Sequence, residues 1–382
     1  MKEQILEFLS RIFKLIFGRI IIFEDVNGFN GNSGAVYNYM INDSRFNKYN
    51  FVWLVKELTP YNTIKRERTR TFLFTSNNLY KKICRFSADY IIFDNIKIKK
   101  KRKNQVSIFL THGCPPFKNV RGIIDINSIV DFVLCPSYRI KDLICYQYSV
   151  DEVKLFYNGL PRNDYLFKPD ARISEKYGFD KYSKVIIWMP TFRKHKYVID
   201  RVDSSAEFPY GIPLIKNCDD VSRLSKLLKD RNMLLIIKSH PISSEDFTPF
   251  PKCDNIITLN DMELLNNDIN YYSMLGMTDA LITDYSSVLF DYLMINKPVC
   301  FTIDDIDEYN FGFAFDNPLD YMPGDKVKDL DGLCDFFVNL SNGIDKYEKE
   351  RIKLRDQTQD FVDDKNTERF INRFFNKEFI WR

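Results

Sequence analysis

The stretch "LITDYSSVLFDY", residues 281–292, decides how this chain folds. Residues 280–282 form an apolar run that reads as a buried strand, and residues 288–294 read as a helix. Thr283, Asp284, Tyr285, Ser286 and Ser287 join them with neither glycine nor proline. A buried strand that passes directly into a helix is half of a βαβ crossover, the unit of a parallel sheet. Ser286 or Ser287 is then the helix cap, and the amides of a helix start suit an anion. A serine cap alone would explain the hydroxyls. The residues three positions on are Leu289 and Phe290, however, so the first turn lacks the carboxylate or carboxamide of a capping box.

The same alternation extends in both directions. Strand-like runs fall at 20–23, 51–55, 88–93, 107–110 and 129–135, then at 184–188, 233–238, 255–258, 280–282 and 299–301. Helical segments such as 219–231 separate them, so the sheets are parallel with crossovers. A chain of 382 residues exceeds one ordinary domain. The expected fold class is α/β, with two consecutive open Rossmann-like domains. Residues 1–18 form an amphipathic helix, 19–168 the first domain and 169–345 the second. Residues 346–382 form charged helices that return to the first domain. Eight scattered cysteines without a CxxC pair read as reduced core residues, and no structural zinc is expected.

Charge is uneven. The first 165 residues hold 26 Lys and Arg against 15 Asp and Glu, although the whole chain carries only +3. A basic first half favours an anionic partner such as a membrane surface. The densest run, "KIKKKRK" at 97–103, also suits a plain solvated loop. In "MKEQILEFLSRIFKLIFG", apolar residues recur at helical spacing, and charges interrupt them too often for a membrane span of about 20 apolar residues. Two readings follow: a helix packed on its own domain, or one lying in a membrane interface.

Open parallel sheets bind ligands at the carboxyl ends of their strands. His112 in "SIFLTHGCPPFK" and His240 in "MLLIIKSHP" both stand there, each before a turn. A histidine with an ordinary pKa of about 6.5 suits a general base. "WMPTFRK" ends another strand with Thr191 and Arg193, and "NGLPRND" carries Arg162 and Asp164. The arginine fork matches phosphate oxygens. The loop "NGFNGNSG" at 27–34 is rich in glycine but lacks the G-x-G-x-x-G spacing.

Taken in order, these segments resemble the CDP-glycerol glycerophosphotransferase family of teichoic acid primases and polymerases. The matching pieces are "THGCPPFK", "NGLPRND", "MPTFR", "KSHP", "LITDYSSVLFD", "INKPVCFTIDDIDEY" and "YMPGD". The resemblance implies a two-Rossmann (GT-B-like) fold with the active site in an interdomain cleft. It implies transfer of glycerol phosphate or ribitol phosphate from a CDP-alditol to a lipid-linked, polyprenyl diphosphate type acceptor, with release of CMP. His112 would be the base on the acceptor hydroxyl, and His240, also catalytic, would bind the donor pyrophosphate. Thr191, Arg193, Lys238, Thr283, Ser286 and Ser287 would bind the donor phosphates, and Asp291 the ribose. Gly113, Lys118, Arg162 and Asp164 would be substrate contacts. Neither a metal nor another cofactor is expected, and the place of action would be the cytoplasmic face of the cell membrane.

The chain departs from the family pattern at Thr111, Cys114, Leu160 and Phe311, and these departures bear on which alditol or acceptor is used. The alternative is a sugar transferase of the same fold that uses a nucleotide sugar for surface polysaccharide, since fold alone does not set the donor. A binding partner without turnover is a third reading. Nucleic acid is not an expected partner, because residues 97–103 lack a recognition fold around them.

Overall fold

The computed structural model describes residues 2–25, 29, 31–56, 66–95, 97–191, 193, 203–238 and 249–376. The chain divides into two compact units. Unit 1 holds residues 1–114, 121–164 and 359–382, and unit 2 holds 115–120 and 165–358.

Unit 1 contains seven parallel strands: β1 (Arg19–Glu24), β2 (Tyr49–Val55), β3 (Thr69–Leu73), β4 (Tyr90–Phe93), β5 (Val106–Phe109), β6 (Phe132–Cys135) and β7 (Leu155–Tyr157). Their order in the sheet is β3-β2-β1-β4-β5-β6-β7. Its helices are α1 (Lys2–Phe17), α2 (Asn32–Ile41), α3 (Leu79–Ser87), α4 (Lys141–Tyr148) and, from the far end of the chain, α12 (Asn366–Phe375).

Unit 2 repeats the plan with β8 (Lys184–Met189), β9 (Met233–Lys238), β10 (Ile256–Leu259), β11 (Ala280–Thr283), β12 (Val299–Thr302) and β13 (Asp325–Val327). The order is β10-β9-β8-β11-β12-β13, again all parallel. Helices α5 (Ala171–Tyr177), α6 (Cys218–Asp230), α7 (Asp261–Asn266), α8 (Tyr271–Met277), α9 (Val288–Tyr292), α10 (Leu330–Ser341) and α11 (Glu348–Thr358) complete it. Alternate residues of one strand face opposite layers. Val185 and Ile187 join one buried cluster with Leu234, Ile236 and Leu281. Ile186 and Trp188 join the other with Leu235, Ile237 and Ile282. Burial on both faces is why these strands read as unbroken apolar runs.

Both sheets are doubly wound, and the strand order reverses between β1 and β4 in unit 1 and between β8 and β11 in unit 2. Loops diverge at such a reversal and leave a crevice at the carboxyl edge. "LITDYSSVLFDY" therefore stands at the reversal of unit 2.

The structure corrects several boundaries. Residues 115–120 belong to unit 2, the main passage falls between Asp164 and Tyr165, and only the chain from Gln359 onward returns to unit 1. Strands β3, β7 and β13 had no counterpart in the sequence reading. The basic run is tied down at two places: Arg102 is buried against Glu7 (2.8 and 2.7 Å) and the carbonyls of Phe86 and Ala88, and Lys100 bonds Asp131 at 2.6 Å, while Lys97, Lys99, Lys101 and Lys103 are exposed.

Candidate functional site

In unit 1, three strand ends meet at the reversal. Asp25 follows β1, Asp94 follows β4, and the segment Leu110–Gly113 follows β5. The carboxylates hold the start of α2. Asp25 Oδ2 accepts from Gly31 N (2.8 Å), and Asp94 Oδ1 accepts from the Ser33 hydroxyl (2.7 Å). A Cβ at Gly31 would overlap both carboxylates, which is why glycine stands there. Burial and then the Asp25 charge raise the Asp94 pKa, so this pair favours holding a proton.

Asn32, wholly buried at the start of α2, donates from Nδ2 to Leu110 O (3.2 Å) and Thr111 O (2.9 Å). Its Oδ1 accepts from Arg162 N at 3.2 Å. Arg162 Nη1 donates to His112 O, and Tyr148 Oη donates to Gly113 O at 2.9 Å. Arg162 is therefore buried and clamps the backbone of this segment. Gly113 is buried and contributes its carbonyl to that clamp.

His112 is exposed by surface area, and the surrounding protein still partly desolvates its ring. That desolvation, with the Arg162 charge second, pushes its pKa down to about 4, so the imidazole is neutral at pH 7. Thr111 before it has φ 67°, unusual for a β-branched residue.

Asp164 is buried on the same turn as Arg162. Its Oδ1 and Oδ2 accept from Asn366 N and Thr367 N, both at 2.8 Å, and so cap α12. Gly159 lies against the Asn366 side chain with no room for a Cβ. "NGLPRND" is thus a platform that seats the returning C-terminal helix and clamps the His112 segment.

In unit 2, the reversal is occupied by an ionic network. Asp284 accepts from Thr191 N (3.0 Å to each oxygen), from the Thr191 hydroxyl (3.1 Å) and from Arg193 Nη1 (3.0 Å). Arg193 Nε and Nη2 donate to Asp305 at 2.7 and 3.0 Å, and Tyr285 Oη donates to the same carboxylate at 3.0 Å. Burial works against the Arg193 charge, but Asp284 and Asp305 outweigh it and raise its pKa. The rings of Phe208, Tyr285 and Tyr309 surround the guanidinium at 5.0–5.6 Å.

The expected phosphate ligands fare unequally here. The Arg193 side chain is fully buried between two aspartates, Thr191 is held by Asp284, and the Thr283 hydroxyl donates to Met189 O at 2.9 Å. Lys238 is buried with Nζ 2.8 Å from Asp261 Oδ1. Each of these four is thus tied to a protein acceptor at this edge. Asp291 is 1% exposed and accepts from Tyr272 Oη at 3.4 Å, so it is a buried acceptor in this state. Lys118 belongs to unit 2, with Nζ 3.4 Å from Asp203 Oδ2 and over the Tyr309 ring.

Ser286 and Ser287 are half-buried at the mouth of the edge. Ser287 is the cap residue of α9 but makes no side-chain capping bond. The first turn is tighter than the sequence suggested: Leu289 N and Phe290 N donate to Ser286 O and Ser287 O (3.3 and 3.0 Å), and Val288 N to Ser286 Oγ. Acceptors from Ser286 and Ser287 thus occupy those amides. His240 lies outside the described residues.

Sequence reasoning missed Asn32, Tyr148, Asp25 and Asp94. The acid pair carried a usable signal, since each carboxylate directly follows a strand beside the reversal.

Comparison with known proteins bears on the family and the fold. The teichoic acid poly(ribitol-phosphate) polymerase of Bacillus spizizenii is 30% identical over 229 residues, 58% of this chain and 33% of that one. The teichoic acid poly(glycerol phosphate) polymerase of the same species is 23% identical over 369 residues, 83% of this chain and 86% of that one. The chain spans between a third and about half the length of the first curated relatives it matches. The wall teichoic acid polymerase TagF superposes with a TM-score of 0.71 at 20% identity, covering 94% of this chain and 90% of that one, a likeness of fold. The model of the CDP-glycerol:poly(glycerophosphate) glycerophosphotransferase family matches residues 8–376, and the chain belongs to that family.

Proposed function

We propose that this chain moves glycerol phosphate, or ribitol phosphate, from a CDP-alditol to a hydroxyl of a lipid-linked acceptor. CMP is released, and the product is a teichoic acid or capsule-type polymer. The observation that carries the reading is the placement of chemistry-bearing residues at the ligand-binding edge of each sheet, His112 in unit 1 and Ser286 and Ser287 in unit 2. One solved TagF structure was soaked with CDPG, which supports a CDP-linked donor here too.

His112 takes the proton of the acceptor hydroxyl as its oxygen bonds to the alditol-bearing phosphorus. The bond from that phosphorus to the bridging oxygen breaks, and CMP leaves with the electron pair. A neutral imidazole is the form required, and a low pKa keeps it neutral at the cost of basicity. Ser286, Ser287 and His240 are assigned to the donor pyrophosphate, whose oxygens gain charge as CMP departs. Among the described residues no cluster of three His, Cys, Asp or Glu side chains could hold a metal ion.

The site of action we assign is a membrane surface on the cytoplasmic side. Helix α1 turns its polar face inward: Glu7 pairs with Arg102, Lys14 with Asp89, and Ser10 is buried. Phe13 and Phe17 pack on Phe86 and Tyr80. Phe8, Leu9, Ile12, Leu15 and Ile16 form the opposite stripe and are exposed, Leu15 at 87%. An exposed apolar stripe beside a basic half fits an anionic lipid interface. No helix among the described residues is long and apolar enough to cross a membrane.

The test is CMP release by the purified chain from CDP-glycerol, CDP-ribitol and nucleotide sugars with a lipid-linked acceptor. Release from a CDP-alditol, lost in His112→Asn, is the expected result. Turnover of a nucleotide sugar alone would establish the sugar-transferase alternative instead.

A further inference from the structure

Three consecutive carbonyls around His112 are each taken by a buried side chain from a different element. Asn32 holds Thr111 O, Arg162 holds His112 O, and Tyr148 holds Gly113 O. Asn32 additionally holds Leu110 O and accepts from Arg162 N, so it ties the segment to the Arg162 turn. Asn32 is itself fixed, because Asp25 and Asp94 anchor the residues on either side of it.

The imidazole has no comparable support. Among the described residues no side chain hydrogen-bonds either ring nitrogen of His112, so the ring's direction is set through its backbone. That backbone is also strained, since Thr111 sits at φ 67° with its buried hydroxyl unpartnered. A strained conformation of this kind persists only where surrounding bonds over-determine it. Loop packing alone would need neither a left-handed threonine nor three dedicated donors.

We infer that Asn32 and Tyr148 are positioning residues, which hold the His112 backbone so that the imidazole meets the acceptor hydroxyl. The inference rests on the reading of His112 as the base. A displacement of about 1 Å in a reacting group can cost about 10²-fold in rate. Asn32→Asp keeps the side chain's size but turns a carboxylate oxygen towards two carbonyls. Tyr148→Phe removes one hydroxyl and leaves the ring packed on Phe109.

The experiment measures steady-state turnover of CDP-glycerol by the full chain carrying Asn32→Asp, Tyr148→Phe, His112→Asn and the pairs of the first two with the third. Asn32→Asp should lower kcat by about 10²-fold and Tyr148→Phe by about tenfold, with the KM for CDP-glycerol within about threefold of wild type. Added to His112→Asn, neither should cost more than about threefold further, because each acts through the lost imidazole. Equal losses in both backgrounds would reduce Asn32 and Tyr148 to structural residues. So would wild-type kcat in both single variants alongside an inactive His112→Asn. Full turnover by His112→Asn would remove the base itself, and this inference with it. If Asn32→Asp does not fold, Tyr148→Phe alone and paired decides the question.

Discussion

Thr111 and His112 show how much a single position depends on its partners. A β-branched residue in the left-handed region costs on the order of 1–3 kcal/mol, and the clamp of buried donors offsets it. The neighbouring imidazole has its pKa pushed down from 6.5 to about 4. Because the ring still reaches solvent, we place the acid limb of kcat/KM between pH 4 and 6.5, and it should disappear in His112→Asn. The linkage has a definite sign. The unfolded chain takes up this proton below pH 6.5 while the folded chain does not, so stability is lost as pH falls from 6.5 towards 4. Urea midpoints of wild type and His112→Asn across that window check the sign: the wild type should lose more.

Asp284 makes the corresponding point in unit 2. It joins Thr191 to Arg193 inside a buried network that also contains Asp305. Asp284→Ala leaves Arg193 with one carboxylate and Thr191 N without its acceptor, and should cost about 3–5 kcal/mol in a urea unfolding curve. A loss below about 1 kcal/mol, the value of a surface pair, would contradict the bracing role. The sequence placed Thr191, Arg193 and Asp284 near one edge. It did not reveal that they neutralise one another, because strand register and burial decide which charges meet.

At the scale of elements, legibility followed burial. Central strands such as β8 and β9 announce themselves as apolar runs, because both faces are covered. The unrecognised β3, β7 and β13 each lie at a sheet edge, and "TRTFL", "LFY" and "DKV" are too short or too polar to stand out. Helix α1 was legible as amphipathic, but not which face would turn outward. Glu7 and Lys14 settle that by pairing with distant residues of unit 1. Charging the exposed stripe with Leu15→Glu and Ile16→Glu should abolish co-flotation with anionic phospholipid vesicles while leaving the melting temperature within a few degrees. Unchanged flotation would assign membrane contact to another surface.

At the scale of the molecule, two doubly wound sheets repeat one plan, and each places its reversal beside a segment read from the sequence as chemical. The plan was legible because alternating apolar strands and helices admit few topologies. The exact partition was not, since residues 115–120 join unit 2 away from their neighbours in sequence and the return to unit 1 begins at Gln359, later than the expected 346. The central claim concerns the group transferred. Its most direct test is CMP release with mass analysis of the acceptor, comparing CDP-glycerol and CDP-ribitol with nucleotide sugars. CMP should appear together with an acceptor heavier by one alditol phosphate, and both should be lost in His112→Asn. An acceptor that gains a sugar, with no CMP from either CDP-alditol, would contradict it.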